Sequence, residues 1–193
     1  MITTLLEPQL PLTICGIEEL DAHSTAQVTH ILSILDPDYP DPRAFAAYDP
    51  HHRLTLRFHD IIGPWPGWQA PEREDVEALI AFGEELDEAG GNLRHLLVHC
   101  HAGISRSTAA AIILLTQHGA EAEAAVAQIV SVRPRAWPNL RMIEIGDRML
   151  KQENRLVKAV RRHHARALLA RPELREIFTQ CGRAREVDGL EAL

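Results

Sequence analysis

Cysteine and long apolar runs are scarce in this chain. The three cysteines, Cys15, Cys100 and Cys181, are widely separated and odd in number, which excludes a disulfide framework and suits a reducing cytoplasm. No apolar segment is long enough to cross a bilayer, and residues 1–12 lack the basic start of a secretory signal. We therefore expect a cytoplasmic protein with no stable membrane insertion.

A basic excess is also missing. The chain has 20 Lys and Arg against 27 Asp and Glu, a formal net charge of −7, which argues against nucleic acid as a partner. From Arg155 onward nine basic side chains stand against five acidic ones, which leaves −11 on residues 1–154. We expect one domain at 1–152 and a helical extension at 153–193, packed on the domain or partly disordered. The oligomeric state is left open.

Hydrophobic patterning predicts strands early in the chain and helices throughout its second half. Short β-branched runs are typical of strands, and a period of 3.6 residues is typical of helices. The predicted strands are 12–17, 28–35, 53–58 and 95–100, and the predicted helices are 18–26, 71–89, 105–118, 120–132, 140–169 and 173–180. This order predicts an α/β fold, with a small, mainly parallel central sheet flanked by helices on both faces.

One stretch, residues 99–107, joins a buried strand to a helix through a short loop. Cys100 follows an apolar run, and Gly103 lets the loop close tightly before the helix begins. Amide N–H groups that converge at a helix N-terminus make a site for an anion. Such a site favours the thiolate of Cys100, and Arg106 can clamp two phosphate oxygens with its planar fork. The stretch therefore predicts a nucleophile aimed at phosphate.

The pattern His-Cys-x5-Arg-Ser at residues 99–107 resembles the signature of the cysteine-dependent protein tyrosine phosphatase superfamily. With Phe-His-Asp-Ile at residues 58–61, the chain is similar to compact bacterial phosphatases of the dual-specificity type. The resemblance covers roughly residues 12–150. It implies a dual-specificity phosphatase-like fold and a phosphoric monoester hydrolase that needs no cofactor.

The resemblance also implies a role for each residue of the catalytic site. Cys100 would attack phosphorus to form a thiophosphoryl intermediate, while Arg106 clamps the phosphate. Asp60 would act as general acid and then as base, and Ser107 would help Cys100 to leave as a thiolate. The loop residues expected to bind phosphate, mainly through their backbone, are His101, Ala102, Gly103, Ile104 and Ser105, together with Arg106.

Two further residues are expected to support the loop. His99 would sit behind it and hydrogen-bond to backbone. Asn139 would brace the loop or position the hydrolytic water, although capping the helix that starts at Leu140 explains it equally well. Asp75 and Asp49 remain alternative general acids, but Asp75 also suits the positive N-terminal end of a helix.

The substrate is less well specified than the chemistry. Phosphoinositide-directed members of the superfamily carry lysines in the loop, and this loop has none, so an inositol lipid is disfavoured. Phosphotyrosine in proteins is the expected substrate, with a non-protein phosphate ester as the alternative. A phospho-binding pseudophosphatase is disfavoured because Cys100 and Arg106 are intact, and a rhodanese-like sulfurtransferase because it would leave Asp60 idle.

Metal binding is not expected. The chain has 11 histidines, but adjacent pairs such as His51-His52 would face opposite sides of a strand. No Cys-x-x-Cys pair accompanies them. The phosphatase chemistry needs no metal, since Arg106 and the loop amides supply the positive charge.

Overall fold

A computed structural model describes residues 12–190, in which four strands form one parallel sheet. The strands are β1 (Leu12–Cys15), β2 (His30–Leu35), β3 (His52–Arg57) and β4 (Leu96–His99). Their order across the sheet is β1-β4-β2-β3. β4 lies inside the sheet and all four of its residues are buried, as an apolar strand covered on both faces should be. Because the strands are parallel, their carboxyl ends lie along one edge of the sheet.

The described chain has six α-helices and four short 3-10 helices. The α-helices are α1 (Arg73–Ala89), α2 (Arg106–Gln117), α3 (Ala122–Val132), α4 (Leu140–Met149), α5 (Arg155–Ala170) and α6 (Leu174–Gln180). The 3-10 helices are Ile17–His23, Arg43–Ala47, Gly90–Asn92 and Ala184–Glu186. The predicted α/β fold with a small parallel sheet is confirmed.

The two faces of the sheet are covered by different kinds of helix. α1 and α2 pack directly on one face, and α3, α4 and α5 pack behind them to form the main core. The other face is covered by the 3-10 helices Ile17–His23 and Arg43–Ala47, which pack against buried Ile31 and Leu97. The first of these is the segment predicted as a short helix at 18–26, and its backbone takes the tight 3-10 form.

The long helix predicted at 140–169 is wrong, because α4 and α5 are separate helices. Lys151, Glu153 and Asn154 have positive φ angles, which a continuous right-handed helix does not allow. The carboxylate of Asp147 is buried and accepts hydrogen bonds from the N–H groups of Asn154 at 2.8 Å and Leu156 at 2.9 Å. A carboxylate at the N-terminus of α5 stabilises a new helix start there.

The segment after α4 packs on the rest of the domain. α5 contributes Leu156 and Val160 to the main core. The last turns of the described chain bury Val187 and Leu190 in a separate cluster with Trp137. The division of the chain at residue 152 stays a prediction, and residues 1–11 and 191–193 lie outside the described range.

Candidate active site

The loop between β4 and α2 carries the predicted nucleophile at the carboxyl edge of the sheet. Cys100 is buried directly after β4, and its Sγ lies 3.2 Å from the Ser107 Oγ in the first turn of α2. Gly103 has a φ of +67°, and a Cβ added there would lie 2.4 Å from the Cys15 carbonyl carbon. Only glycine fits at this position, because the loop presses against the end of β1.

The carbonyl groups of residues 101–105 in this loop face outward, and each of these five accepts a hydrogen bond. The donors, in order from the carbonyl of His101 to that of Ser105, are Ile17 N at 3.0 Å, Arg133 Nη2 at 3.0 Å, Arg133 Nε at 3.1 Å, Trp137 N at 2.8 Å and Asn139 N at 3.3 Å. Within residues 12–190, no N–H group of residues 101–105 donates a hydrogen bond to the protein. We call residues 100–106 the phosphate loop, because its free N–H groups make a site for an anion.

Arg133 is the outer brace of the phosphate loop. Besides donating to two loop carbonyls, its guanidinium pairs with both carboxylate oxygens of Glu19, at 2.8 and 2.6 Å. The hydrogen bond from Arg133 lowers the pKa of Glu19, which therefore stays ionised. Because Glu19 also accepts the N–H of Gly16 at 2.6 Å, the brace connects the loop to the end of β1.

Arg106 lies under the phosphate loop with part of its guanidinium unused. The side chain is only 4% exposed, and its Nη1 donates to the Asp36 carboxylate and to the Phe58 carbonyl, both at 2.6 Å. Its buried Nε has no hydrogen-bond partner among the described residues. Leaving a buried donor unpaired is unfavourable. This nitrogen is therefore available to donate a hydrogen bond to an anion bound in the loop.

Asp60 lies in the loop after β3, beside the phosphate loop. Its Oδ1 accepts hydrogen bonds from Ser105 Oγ at 2.7 Å and Asn139 Nδ2 at 2.8 Å, and lies 3.1 Å from Arg183 Nη1. Burial alone would raise the pKa of Asp60. The charges of Arg183 and Arg106, with these two hydrogen bonds, outweigh burial and lower the pKa below its ordinary value.

Asn139 combines the two functions that the sequence left open. Its Oδ1 caps α4 by accepting the N–H of Met142 at 3.1 Å, while its Nδ2 donates to Asp60 and, at 3.2 Å, to the Ile61 carbonyl. The helix cap therefore also braces the loop that holds Asp60. The alternative acid Asp75 instead accepts the N–H of Glu72 at 2.8 Å and caps α1.

His99 lies behind the phosphate loop, but the partner of its Nε2 is a side chain. The Nε2 lies 2.6 Å from Ser33 Oγ on β2, and the expected hydrogen bond of the ring to backbone stays a prediction. Burial lowers the pKa of His99 to about 4, so the ring is neutral at pH 7. A neutral, buried ring keeps β2 and β4 in register without adding charge to the site.

Three comparisons with known proteins agree with this geometry. The family model for protein-tyrosine phosphatase matches residues 46–139. Human protein phosphatase Slingshot homolog 3 is 30% identical over 137 residues, which are 67% of this chain. The chain belongs to the cysteine-dependent protein tyrosine phosphatase superfamily. The expected family and its hydrolase class are confirmed, whereas the bacterial type stays a prediction.

Solved structures give the same fold for this phosphatase domain. Human DUSP28 superposes with a TM-score of 0.56 at 19% identity, covering 74% of this chain and 93% of its own. PTPMT1 in complex with PI(5)P superposes with a TM-score of 0.53 at 16% identity, covering 74% and 91%. The chain spans only 18% of the length of the Slingshot relative.

Two residues that contact the catalytic groups of this phosphatase domain were missed in the sequence. Asp36, which pairs with Arg106, directly follows β2, and the rule that parallel strands end at one edge could have found it. Arg183 reaches Asp60 from the far end of the chain, and no sequence signal marks it. Motifs identify residues that are close to Cys100 in the sequence. They do not identify residues that only folding brings close to it in space.

Residues 12–190 contain neither a metal-binding cluster nor a membrane-spanning helix. No three His, Cys, Asp or Glu side chains in this range are grouped closely enough to hold a metal ion. No helix in the same range is long and apolar enough to cross a bilayer.

Proposed function

We propose that this domain hydrolyses phosphate monoesters by nucleophilic catalysis on Cys100. The observation that carries the proposal is the phosphate loop, in which the carbonyls of residues 101–105 point outward while the N–H groups of the same residues stay free beside the buried thiol. Arg106, with its unpaired Nε, supplies the matching positive charge. A tetrahedral dianion satisfies all these donors at once.

In the first step, the Cys100 thiolate attacks phosphorus, and the bond from phosphorus to the ester oxygen breaks. The departing oxygen takes a proton from Asp60. Every hydrogen bond or ion pair of Asp60 within residues 12–190 ends on Oδ1, so Oδ2 is the oxygen that carries the proton. Arg106 and the loop amides stabilise the charge on the equatorial oxygens.

In the second step, water attacks the phosphocysteine and Asp60 accepts its proton. The sulfur–phosphorus bond breaks, its electron pair returns to Cys100 Sγ, and inorganic phosphate leaves. Ser107 Oγ, at 3.2 Å, donates to the forming thiolate. A reducing compartment such as the cytoplasm suits the enzyme, because the thiolate must survive between turnovers.

The substrate we propose is phosphotyrosine in a protein. Tyr39 packs edge-on against His101, with ring centroids 4.5 Å apart, and is 37% exposed beside the phosphate loop. This aromatic wall suits an aryl phosphate. Burial, with the charge of Arg106, lowers the pKa of His101, so the loop side chains provide no cation for a second phosphate at neutral pH.

The test is hydrolysis of an aryl phosphate in the presence of a chelator. Wild-type protein should turn over and be inhibited competitively by vanadate. Cys100→Ser should lose at least about 1,000-fold in kcat, yet phosphate should still raise its melting temperature. Cys181→Ser, which alters an exposed cysteine, is the matched control and should keep full activity. Turnover that persists in Cys100→Ser would contradict the mechanism.

Substrate capture from a lysate by the same Cys100→Ser variant tests the substrate. Retention of proteins phosphorylated on tyrosine would support the proposal. Retention of a phosphorylated lipid, nucleotide or sugar instead would replace phosphotyrosine and leave the mechanism intact.

A further inference from the structure

The guanidinium of Arg183 is buried beside the general acid. Arg183 is 6% exposed, its Nη1 lies 3.1 Å from Asp60 Oδ1, and its Nη2 donates to Ser105 Oγ at 3.0 Å. Ser105 in turn donates to Asp60. One side chain from the C-terminal segment therefore contacts both the acid and a residue of the phosphate loop.

Glu186 fixes the orientation of Arg183. Its carboxylate accepts the Arg183 Nε at 2.7 Å and Nη2 at 2.9 Å. The same carboxylate is fully buried and accepts Trp137 Nε1 at 2.9 Å and the N–H of Leu140 at 2.8 Å. Since a bidentate pair leaves the guanidinium little freedom, Nη1 is held toward Asp60.

A second contact connects the C-terminal segment to the loop that carries Asp60. Gly182 has a φ of +71°, and a Cβ added there would lie 2.2 Å from the ring of Trp65, five residues after Asp60. The backbone of Gly182 thus lies flat against the indole of Trp65, and a residue with a side chain would not fit at position 182. The segment therefore holds the acid loop at two points, one polar and one apolar.

We propose that Arg183 is a positioning residue for Asp60, so that residues 182–190 complete the active site of this phosphatase. The inference rests on the proposed function, in which Asp60 is the general acid. By occupying Oδ1 together with Asn139 and Ser105, Arg183 sets the direction of Oδ2 toward the leaving group. A general acid has to be held within hydrogen-bond reach of the atom that it protonates.

The charges around Asp60 define what Arg183 contributes. The cations near it are Arg183 and Arg106, and His101 is the nearby titratable group. Glu186 and Asp36 are the carboxylates that pair with the two arginines. Removal of Arg183 takes away the first of the two charges that hold the pKa of Asp60 down, so this pKa should rise.

The experiment compares Arg183→Gln with wild type on phenyl phosphate, a poor leaving group, and 4-nitrophenyl phosphate, a good one. We expect kcat to fall about tenfold on the first and less than about twofold on the second, with KM unchanged. The descending limb of the phenyl phosphate pH profile should move up by about one pH unit. Arg162→Gln, a partly exposed arginine on α5, is the matched control and should change neither value.

A double-mutant cycle with Asp60→Asn separates positioning from a general structural effect. If Arg183 acts through Asp60, adding Arg183→Gln to Asp60→Asn should cause no further loss on phenyl phosphate. If Arg183→Gln does not fold, Arg183→Lys replaces it, because it keeps the charge and loses the fork. Equal losses on both substrates or additive losses in the cycle would each overturn the inference, as would an unmoved pH limb in Arg183→Gln. Arg183→Lys keeps the charge, so it is judged by the first two outcomes alone.

The same assays distinguish this inference from the proposed function. A wild-type protein that hydrolyses 4-nitrophenyl phosphate, and loses this activity in Cys100→Ser, supports the function whatever Arg183 does. An inactive wild-type protein would overturn the function and the role of Arg183 with it.

Discussion

The phosphate loop and the acid side of the site are built in different ways. The phosphate loop is one continuous stretch, residues 100–106, between β4 and α2. The acid side is assembled from separate segments, which bring Asp60, Asn139 and Arg183 together from three distant parts of the chain. A continuous motif carries its geometry in its own spacing, whereas a dispersed one depends on the packing of the whole domain.

The two buried arginines show the same difference. Arg106 keeps an unpaired Nε, although Asp36 and Phe58 hold its Nη1. Arg183 is paired instead with two carboxylates, those of Asp60 and Glu186. Burial would lower the pKa of Arg183, but these carboxylates outweigh it and raise the pKa. One arginine is therefore available to the substrate, and the other is committed to the protein.

After the nucleophile variant Cys100→Ser, the largest expected effect comes from Gly103→Ala, which distorts the continuous phosphate loop. The added methyl group would overlap the backbone of Cys15 and Gly16, and the positive φ adds strain. We expect kcat/KM to fall at least about 100-fold, because misplacing a catalytic group by about 1 Å has this effect. Enzyme kinetics and thermal unfolding measure it.

Gly119→Ala is the matched control for Gly103→Ala. Gly119 also has a positive φ, +95°, but nothing lies within 4 Å of an added Cβ. It should lose about 1 kcal/mol of unfolding free energy from backbone strain alone and keep its activity. Equal loss of activity in both variants would mean that crowding at Gly103 has no part in shaping the loop.

The next largest effect is expected for Asp60→Asn, which removes the acid from the side of the site that is assembled from distant segments. An amide cannot donate the proton, so kcat on phenyl phosphate should fall about 100-fold, and kcat on 4-nitrophenyl phosphate much less. Because the pKa of Asp60 is lowered, its acid form is lost below neutral pH, and wild-type activity on phenyl phosphate should fall as the pH rises through the acidic range. Loss of this fall in Asp60→Asn confirms the assignment, and a fall that persists assigns it to another group.

A smaller effect is expected for Arg133→Gln, which removes the outer brace of the phosphate loop. The carbonyls of Ala102 and Gly103 lose their donors and Glu19 loses its partner, so the loop should relax. We expect about a tenfold rise in the inhibition constant for vanadate. Arg135→Gln, two residues away and exposed, should leave the constant unchanged, and matching values for both variants would exclude a bracing role.

The smallest effect is expected for substitution of His164, which should change the unfolding free energy and leave the activity unchanged. His164 is fully buried, stacks on Trp137 at 4.0 Å and has a pKa lowered well below 6.5 by burial. Such a histidine is neutral when folded and takes up a proton on unfolding, so the unfolding free energy falls as the pH drops below 6.5.

His164→Phe keeps the stack and removes the titration. The variant should be more stable than wild type by about 1 kcal/mol at pH 5, with a smaller difference at pH 8 and unchanged kcat. Denaturant unfolding at the two pH values measures this. The same stability difference at both pH values would show that the proton uptake of His164 does not contribute.

The features that the sequence predicted correctly all depend on residues close together in the chain. The strands and most helices followed from apolar periods, and the phosphate loop from the spacing of Cys100, Gly103 and Arg106. The break between α4 and α5 was missed, because the buried Asp147 that stabilises it acts across a turn with no glycine or proline to mark it.

The sequence by itself determined the family and the loop that carries the proposed nucleophile, because these depend on backbone spacing within a few residues of Cys100. Tertiary structure alone decided how Asp60 is held. Arg183 lies 123 positions after Asp60 in the sequence, and the two meet only because Glu186 docks on the start of α4 beside Asn139. A contact between charged side chains from distant parts of the chain leaves no periodic pattern, so only the packed domain reveals it.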